Sequence, residues 1–273
     1  MTPKTIAISD KLEKRFLCDL EKNGVESVEL IGNHCFPHIP RTYYSALLSG
    51  RRIFIKLDRM SLFWRGRDFN FETEFTLCDR LHKINHENFP EVFFFLRNKG
   101  YSCIAYEFVE GKNLREMNCG DLPLDLKENF IIQLKKIAEN LWETGIVHQD
   151  IHWCNFIALE DGTLKLIDFG FSYDVEDPPW MKRYSLLRKF PPLFHLLVKQ
   201  KTVRGKGRDD SLAMLRVLEQ IGFHESYQKH YRDLESYLKQ RIGKRLFVHT
   251  RSRTTFLVYT IRKWLKRKGW WFK

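Results

Sequence analysis

The chain is expected to be an α+β protein of two lobes, an N-terminal antiparallel sheet lobe with one main helix and a mostly helical C-terminal lobe. Three observations point that way. Before residue 110 several short runs alternate with a period of two, and beyond residue 120 apolar stripes recur with a helical period. The 273 residues are 43% hydrophobic and 14% aromatic, enough to bury a core of that size and too apolar for a disordered chain. No repeat or low-complexity linker interrupts the sequence. The expected boundaries therefore follow changes of pattern: 1–109 for the first lobe, 110–235 for the second, and 236–273 for a basic helical tail.

Within the first lobe, Arg51-Arg-Ile-Phe-Ile-Lys-Leu57 alternates like a strand, with Ile53 and Ile55 on one face and Phe54 and Lys56 on the other. A helix is expected between Asp68 and Ile84. At about 100° per residue, Phe71, Leu77, Cys78 and Leu81 share a face with Glu74 while Glu72 points away, so Glu74 is a carboxylate set in an apolar stripe. Phe93 to Leu96 and Ser102 to Val109 read as two further strands around the turn Asn98-Lys-Gly100, and Glu110-Gly111 then breaks the pattern as a hinge would.

In the second lobe, Asp125 and Glu128 resemble a capping box. Phe130, Leu134, Ile137 and Leu141 then form a helical stripe that ends at Gly145. Phe156 to Leu159 and Leu164 to Ile167 are expected to pair as a hairpin around Asp161-Gly162, which delivers Asp168-Phe-Gly170 at its far end.

Charge and cysteine usage bound the setting. The formal charge is +12, and the stretch from Ser236 to Lys273 alone holds twelve Lys or Arg and no Asp or Glu. The remainder is balanced. Six cysteines are scattered without a CxxC pair or a His/Cys metal spacing, as in a reduced cytosolic protein. The first residues lack the apolar core and cleavage site of a secretory signal, and no apolar run reaches transmembrane length, so a cytoplasmic location is expected.

Phosphoryl transfer needs a group that orients and deprotonates the acceptor hydroxyl, oxygen ligands for magnesium, and a cation for the phosphates. The polar residues flanking the expected hairpin supply this set. His148-Gln-Asp150-Ile-His-Trp-Cys-Asn155 resembles the kinase catalytic loop HxDxxxxN, and Asp168-Phe-Gly170 stands thirteen residues after Asn155. On these motifs the chain resembles the protein-kinase-like superfamily. The resemblance implies that Asp150 is the catalytic base and that Asn155 and Asp168 bind Mg²⁺ and bridge it to the phosphates of ATP. It also implies that Lys56, in Phe54-Ile-Lys56, is the strand lysine paired with Glu74, the inward carboxylate of the helix. Tyr106-Glu-Phe-Val109 would be the segment that receives the adenine, with Glu107 and Val109 at the nucleotide. Departures accompany the likeness. The stretch from Ile31 to Gly50 has only Gly32 and Gly50 in place of a glycine-rich loop, and no APE motif follows Asp168. Gln149 also replaces the arginine that reads activation-loop phosphorylation, so regulation by that switch is not expected.

The acceptor is approached through the same motifs. His152 stands where Ser/Thr protein kinases usually have lysine, and Gly207-Arg-Asp-Asp-Ser-Leu-Ala-Met214 resembles a segment of bacterial lipopolysaccharide core heptose kinases. That likeness implies a sugar hydroxyl, a heptose of the lipopolysaccharide inner core, as acceptor. In the tail, Leu257, Ile261, Trp264 and Leu265 follow helical spacing among Arg262, Lys263, Lys266 and Arg267, and Trp270-Trp-Phe272 follows. This is an interfacial pattern that suits the inner face of the cytoplasmic membrane and an anionic glycolipid. No base-reading motif or stacking module accompanies the charge, which argues against a nucleic-acid partner. The alternatives are a Ser/Thr protein kinase and a catalytically silent pseudokinase or binding protein.

Overall fold

In the computed structural model the described residues are 10–36, 39–59, 71–98, 100–174 and 210–241. The chain divides into two compact units, one of Met1–Met117 with Cys154–Ser172, the other of Asn118–Trp153 with Tyr173–Lys273.

The first unit is built on an antiparallel five-stranded sheet in the order β1-β2-β3-β5-β4, formed by β1 (Val25–Phe36), β2 (Ile39–Leu48), β3 (Arg51–Arg59), β4 (Val92–Asn98) and β5 (Tyr101–Glu107). Helix α1 (Asp10–Lys22) is an addition to the single main helix expected of this lobe. Its Phe16 and Leu20 are fully buried in one cluster with Val25, Tyr44, Ile53 and Ile55. Alternation along β3 therefore sends Ile53 and Ile55 into that core and leaves Phe54 and Lys56 for the opposite face. Helix α2 (Phe71–Ile84) buries Phe71, Glu74, Leu77, Cys78 and Leu81, the stripe that its periodicity predicts, and Glu72 is exposed. Residues 68–70 of the expected helix lie outside the described residues.

The same unit takes in a second, three-stranded sheet of β6 (Lys112–Asn113), β8 (Phe156–Ala158) and β9 (Leu164–Leu166) in the order β6-β8-β9. The expected hairpin is present. Thr163 donates its N–H to Asp161 Oδ1 at 2.8 Å, and Gly162 adopts φ 81°, a left-handed turn that glycine takes without strain. Asn88 Nδ2 donates to the Leu164 carbonyl at 2.7 Å and the Leu166 N–H to the Asn88 carbonyl at 2.9 Å. Through these bonds, and the β6–β8 pairing, the hairpin groups with residues up to Met117 rather than with the chain around it. This partition differs from a cut at residue 109. Gly111, expected as a hinge, sits hard against β8: a Cβ there would overlap the Ala158 carbonyl oxygen and come within 2.8 Å of Ile157 Cγ2.

The second unit contains α3 (Leu124–Glu143), β7 (Ile146–Val147), β10 (Tyr173–Asp174), α4 (Asp210–Ile221) and a further helix, α5, over 228–241. Phe130, Leu134, Ile137 and Leu141 are buried along α3 as expected. The expected capping box does not form. Helix α3 starts at Leu124 behind Pro123, no side chain caps it, and Asp125 already lies in the first turn. The start of the tail at 236 falls inside α5, where Leu234 and Leu238 are both buried, so the apolar stripe crosses that boundary without a break. The tail residues from 242 onward, Leu257 to Phe272 among them, lie outside the described residues, as do Gly207 to Asp209. Among the described residues no helix is long and apolar enough to cross a membrane.

Candidate active site

The face of the sheet opposite α1 carries the charges. Lys56 projects from β3, and its Nζ donates to Glu74 Oε1 at 2.9 Å and to Asp168 Oδ1 at 2.7 Å. Its side chain is only 8% exposed. Burial alone would lower the Lys56 pKa, but the charges of Asp168 and Glu74 outweigh it and hold the ammonium well above its ordinary value. A buried carboxylate such as Glu74, 3% exposed, persists only with partners. It has two, because the Tyr106 hydroxyl donates to the same Oε1. The Tyr106 ring in turn lies 5.0 Å from Lys56 Nζ. Burial, and after it the Glu74 charge, pushes the Tyr106 hydroxyl pKa far up, which keeps it a donor.

Asp168 reaches Lys56 from an unusual backbone. Its φ is 65° and ψ is 67°, a left-handed conformation that few non-glycine residues adopt and that costs on the order of 1–3 kcal/mol. Gly170 follows beside the cluster. A Cβ there would stand 3.4 Å from Asp168 Oδ1, 3.6 Å from Glu74 Oε2 and 3.6 Å from Arg41 Nη1. Arg41 belongs to the same group. On β2 it is the partner of Asp58 on β3, and its Nε donates to Asp58 Oδ1 at 3.0 Å.

A cleft of about 350 Å³ opens along this face, a volume in the range of small-molecule sites. One end is apolar, lined by Phe54, Phe108, Val109 and Ile157, and the other holds Lys56, Asn155 and Asp168. Tyr43 stacks on Phe54 with ring centroids 5.6 Å apart and planes at 18°, which gives the apolar end a flat wall. Glu107 also lines the cleft, but its carboxylate is taken: Oε2 accepts from Lys165 Nζ at 2.8 Å and from the Glu91 N–H at 3.1 Å. Its side chain braces β5 against β9. Of the residues expected at the nucleotide, Lys56, Glu74 and Asp168 thus form one bonded cluster, and Asn155, Glu107 and Val109 line the cleft beside it.

Asn155 and Asp168 are hard oxygen donors facing one space. Among the described residues no group of three or more His, Cys, Asp or Glu could hold a metal ion. That donor set does not suit a cage built wholly of protein ligands. It suits Mg²⁺, which is commonly bound by one or two carboxylates together with substrate phosphates and water.

The second unit holds the loop of Asp150. His148 is fully buried, and its Nδ1 accepts the Asp150 N–H at 3.3 Å. Asp210, the first residue of α4, accepts the His148 N–H at 2.6 Å on Oδ2 and the Gln149 N–H at 2.9 Å on Oδ1. Gln149 sits at φ 67°. The two bonds to Asp210 hold this left-handed step, and the Asp150 carboxylate remains partly exposed, 3.5 Å from His152 Nε2.

Three residues of these arrangements were not legible as site residues. Tyr106 reads from sequence as part of the adenine-receiving segment, although its hydroxyl braces Glu74. Asp210 reads as one letter of a family-like segment, although its carboxylate organises the loop of Asp150. Arg41 lies in the glycine-poor stretch that gives no motif. Only the strand alternation that places it on the same face as Tyr43 hints at its position.

Comparison with known proteins follows this geometry. A family model of the protein kinase domain matches residues 66–190. The MAP3K epsilon protein kinase 2 of Arabidopsis thaliana is 29% identical over 121 residues, 43% of this chain and 9% of that protein. The cell division control protein 7 of Schizosaccharomyces pombe is 31% identical over 94 residues, 34% of this chain and 9% of that protein. A putative serine/threonine-protein kinase, L670, of Acanthamoeba polyphaga mimivirus is 30% identical over 103 residues, 38% of this chain and 19% of that protein. The chain thus spans less than a fifth of the length of each of these relatives. With its antiparallel sheet, α2 and helical second unit, its fold is protein-kinase-like.

Proposed function

We propose that on this fold the chain is an ATP-dependent phosphotransferase acting on an alcohol hydroxyl. The observation that carries the reading is Lys56 held between Glu74 and Asp168 at the polar end of a cleft whose other end is flat and apolar. An adenine fits the Phe54, Phe108 and Val109 end, and Lys56 then meets the phosphates. Asp168 and Asn155 would hold Mg²⁺, which supplies charge neutralisation at the transferred phosphoryl group. Asp168 and Glu74 keep the ammonium of Lys56 charged, and Tyr106 holds Glu74. Asp150 would accept the proton of the attacking hydroxyl.

The name of a protein kinase among the relatives supports a protein as acceptor, and that of the putative serine/threonine-protein kinase supports a Ser or Thr hydroxyl. A second reading, a heptose hydroxyl of the lipopolysaccharide inner core, rests on His152 beside Asp150, where Ser/Thr kinases usually have lysine, and on the segment from Gly207 to Met214. To that reading also belong an anionic glycolipid partner, attachment of the basic tail to a membrane surface, and a place on the inner face of the cytoplasmic membrane.

One experiment separates these readings: transfer of labelled phosphate from ATP with Mg²⁺ to a mixture of proteins and, in parallel, to dephosphorylated lipopolysaccharide. Labelled protein, lost in Asp150→Asn, supports the protein kinase, and labelled glycolipid lost in the same variant supports the sugar kinase. No transfer to either acceptor, with a folded chain, turns the assignment to a silent binding protein.

A further inference from the structure

Arg41 has no part in the reading above, yet its surroundings are those of a ligand-binding cation. Tyr43 and Lys56 face each other across β2 and β3, and Arg41 and Asp58 are the next pair on the same face. Strand geometry places them roughly 7 Å further along, away from Phe54 and the apolar end and past Lys56. The Arg41 side chain is 12% exposed and that of Asp58 11%. Asp58 accepts from Nε of the guanidinium at 3.0 Å, and Nη1 stands 3.6 Å from where a Cβ on Gly170 would lie. Burial would lower the Arg41 pKa, but the charges of Asp58, Glu74 and Asp168 together more than offset it. Arg41 therefore shares with Lys56 the field of the carboxylate that would carry Mg²⁺.

The glycine-poor stretch gives this position a purpose. A glycine-rich loop brings backbone N–H groups onto phosphates, and here Gly32 is the only glycine of β1 and β2, with open space around it. A planar guanidinium held by Nε presents its remaining N–H edge to a phosphate, a geometry that lysine cannot copy.

We propose that Arg41 is a second phosphate-binding cation of the cleft, held by Asp58 through Nε so that its Nη edge meets the terminal phosphates of a nucleotide. The inference rests on the nucleotide reading of the cleft. With the Asp168 charge taken up by metal, the Nη edge of Arg41 meets the phosphate oxygens, and Asp58 keeps the guanidinium in place.

The test is calorimetric titration of the full chain with MgATP and with adenosine, on wild type, Arg41→Gln and Asp58→Asn, with each variant's thermal unfolding recorded. Arg41→Gln should bind MgATP roughly ten- to a hundredfold more weakly, the range expected for one charge-assisted contact, and bind adenosine as wild type does. Asp58→Asn keeps the cation and should lose far less MgATP affinity. Should Arg41→Gln not fold, Arg41→Lys keeps the charge and loses the Nε anchor. It should weaken MgATP alone, and wild-type affinity in it would overturn the proposal. An equal loss for adenosine would make Arg41 a structural partner only. Wild-type MgATP affinity in Arg41→Gln would remove Arg41 while leaving the kinase reading intact. A wild-type protein that binds no MgATP would instead overturn the kinase reading itself.

Discussion

Two carboxylates of the proposed site are held in opposite ways. Glu74 in the first unit is buried and satisfied by other side chains, with Lys56 and Tyr106 both on Oε1. Asp150 in the second unit is partly exposed, and its loop is held through backbone N–H groups that Asp210 and His148 accept. In the first arrangement stability and the proposed chemistry share the same atoms. In the second they are separate, because the groups that fix the loop are not the carboxylate that would act. A substitution should therefore behave differently in the two places.

Asp150→Asn carries the largest expected effect on rate, a loss of about 10²–10⁴ in kcat for removal of a general base. Its unfolding free energy should fall by about 1 kcal/mol at most, less than for the buried Lys56–Glu74 pair. Urea denaturation beside the transfer assay checks both, and a large stability loss would erase the contrast. Lys56→Met should lose activity and also about 3–5 kcal/mol of stability, since Glu74 is left buried without its cation. A variant as stable as wild type would mean that the pair is not closed in solution.

Asp210→Ala should cost about 1–3 kcal/mol by leaving the His148 and Gln149 N–H groups without their acceptor. It should also lower kcat while leaving the KM for ATP near wild type, because Asp210 orders the loop of Asp150 and not the nucleotide cleft. A change in KM alone would contradict that assignment.

The smallest effect concerns pH. Burial, opposed by Arg41, raises the Asp58 carboxyl above its ordinary 3.8. A raised folded-state pKa favours the folded protein below the unfolded value, and that advantage is lost as pH rises through the folded one. Between about pH 3 and pH 6 the stability of wild type relative to Asp58→Asn should therefore fall. Denaturation at a series of pH values measures the slope, and a rise in place of a fall would mean that the Arg41 charge dominates the burial.

Local pattern was enough for much of the scaffold. The alternation around Lys56, the stripe that turns Glu74 inward and the hairpin before Asp168 are each visible within a few residues, because side-chain direction in a strand or helix follows from spacing alone. The capping box at Asp125 shows the limit of such reading, since the same letters stand inside a helix that Pro123 precedes. Glu107 shows another limit: a residue can line the cleft while its carboxylate is spent on Lys165, 58 residues away in sequence.

Composition and periodicity were sufficient for an α+β chain with a sheet-rich first part and a helical second part. The resemblance of the segments around Asp150 and Asp168 to kinase motifs supplied the candidate site. Only folding decided which charges meet. Lys56 and Asp168 are 112 residues apart, His148 and Asp210 are 62, and Tyr106 and Glu74 are 32. No local preference encodes such pairs. They form because burial raises the free energy of an unpaired charge or N–H until the packed chain supplies a partner.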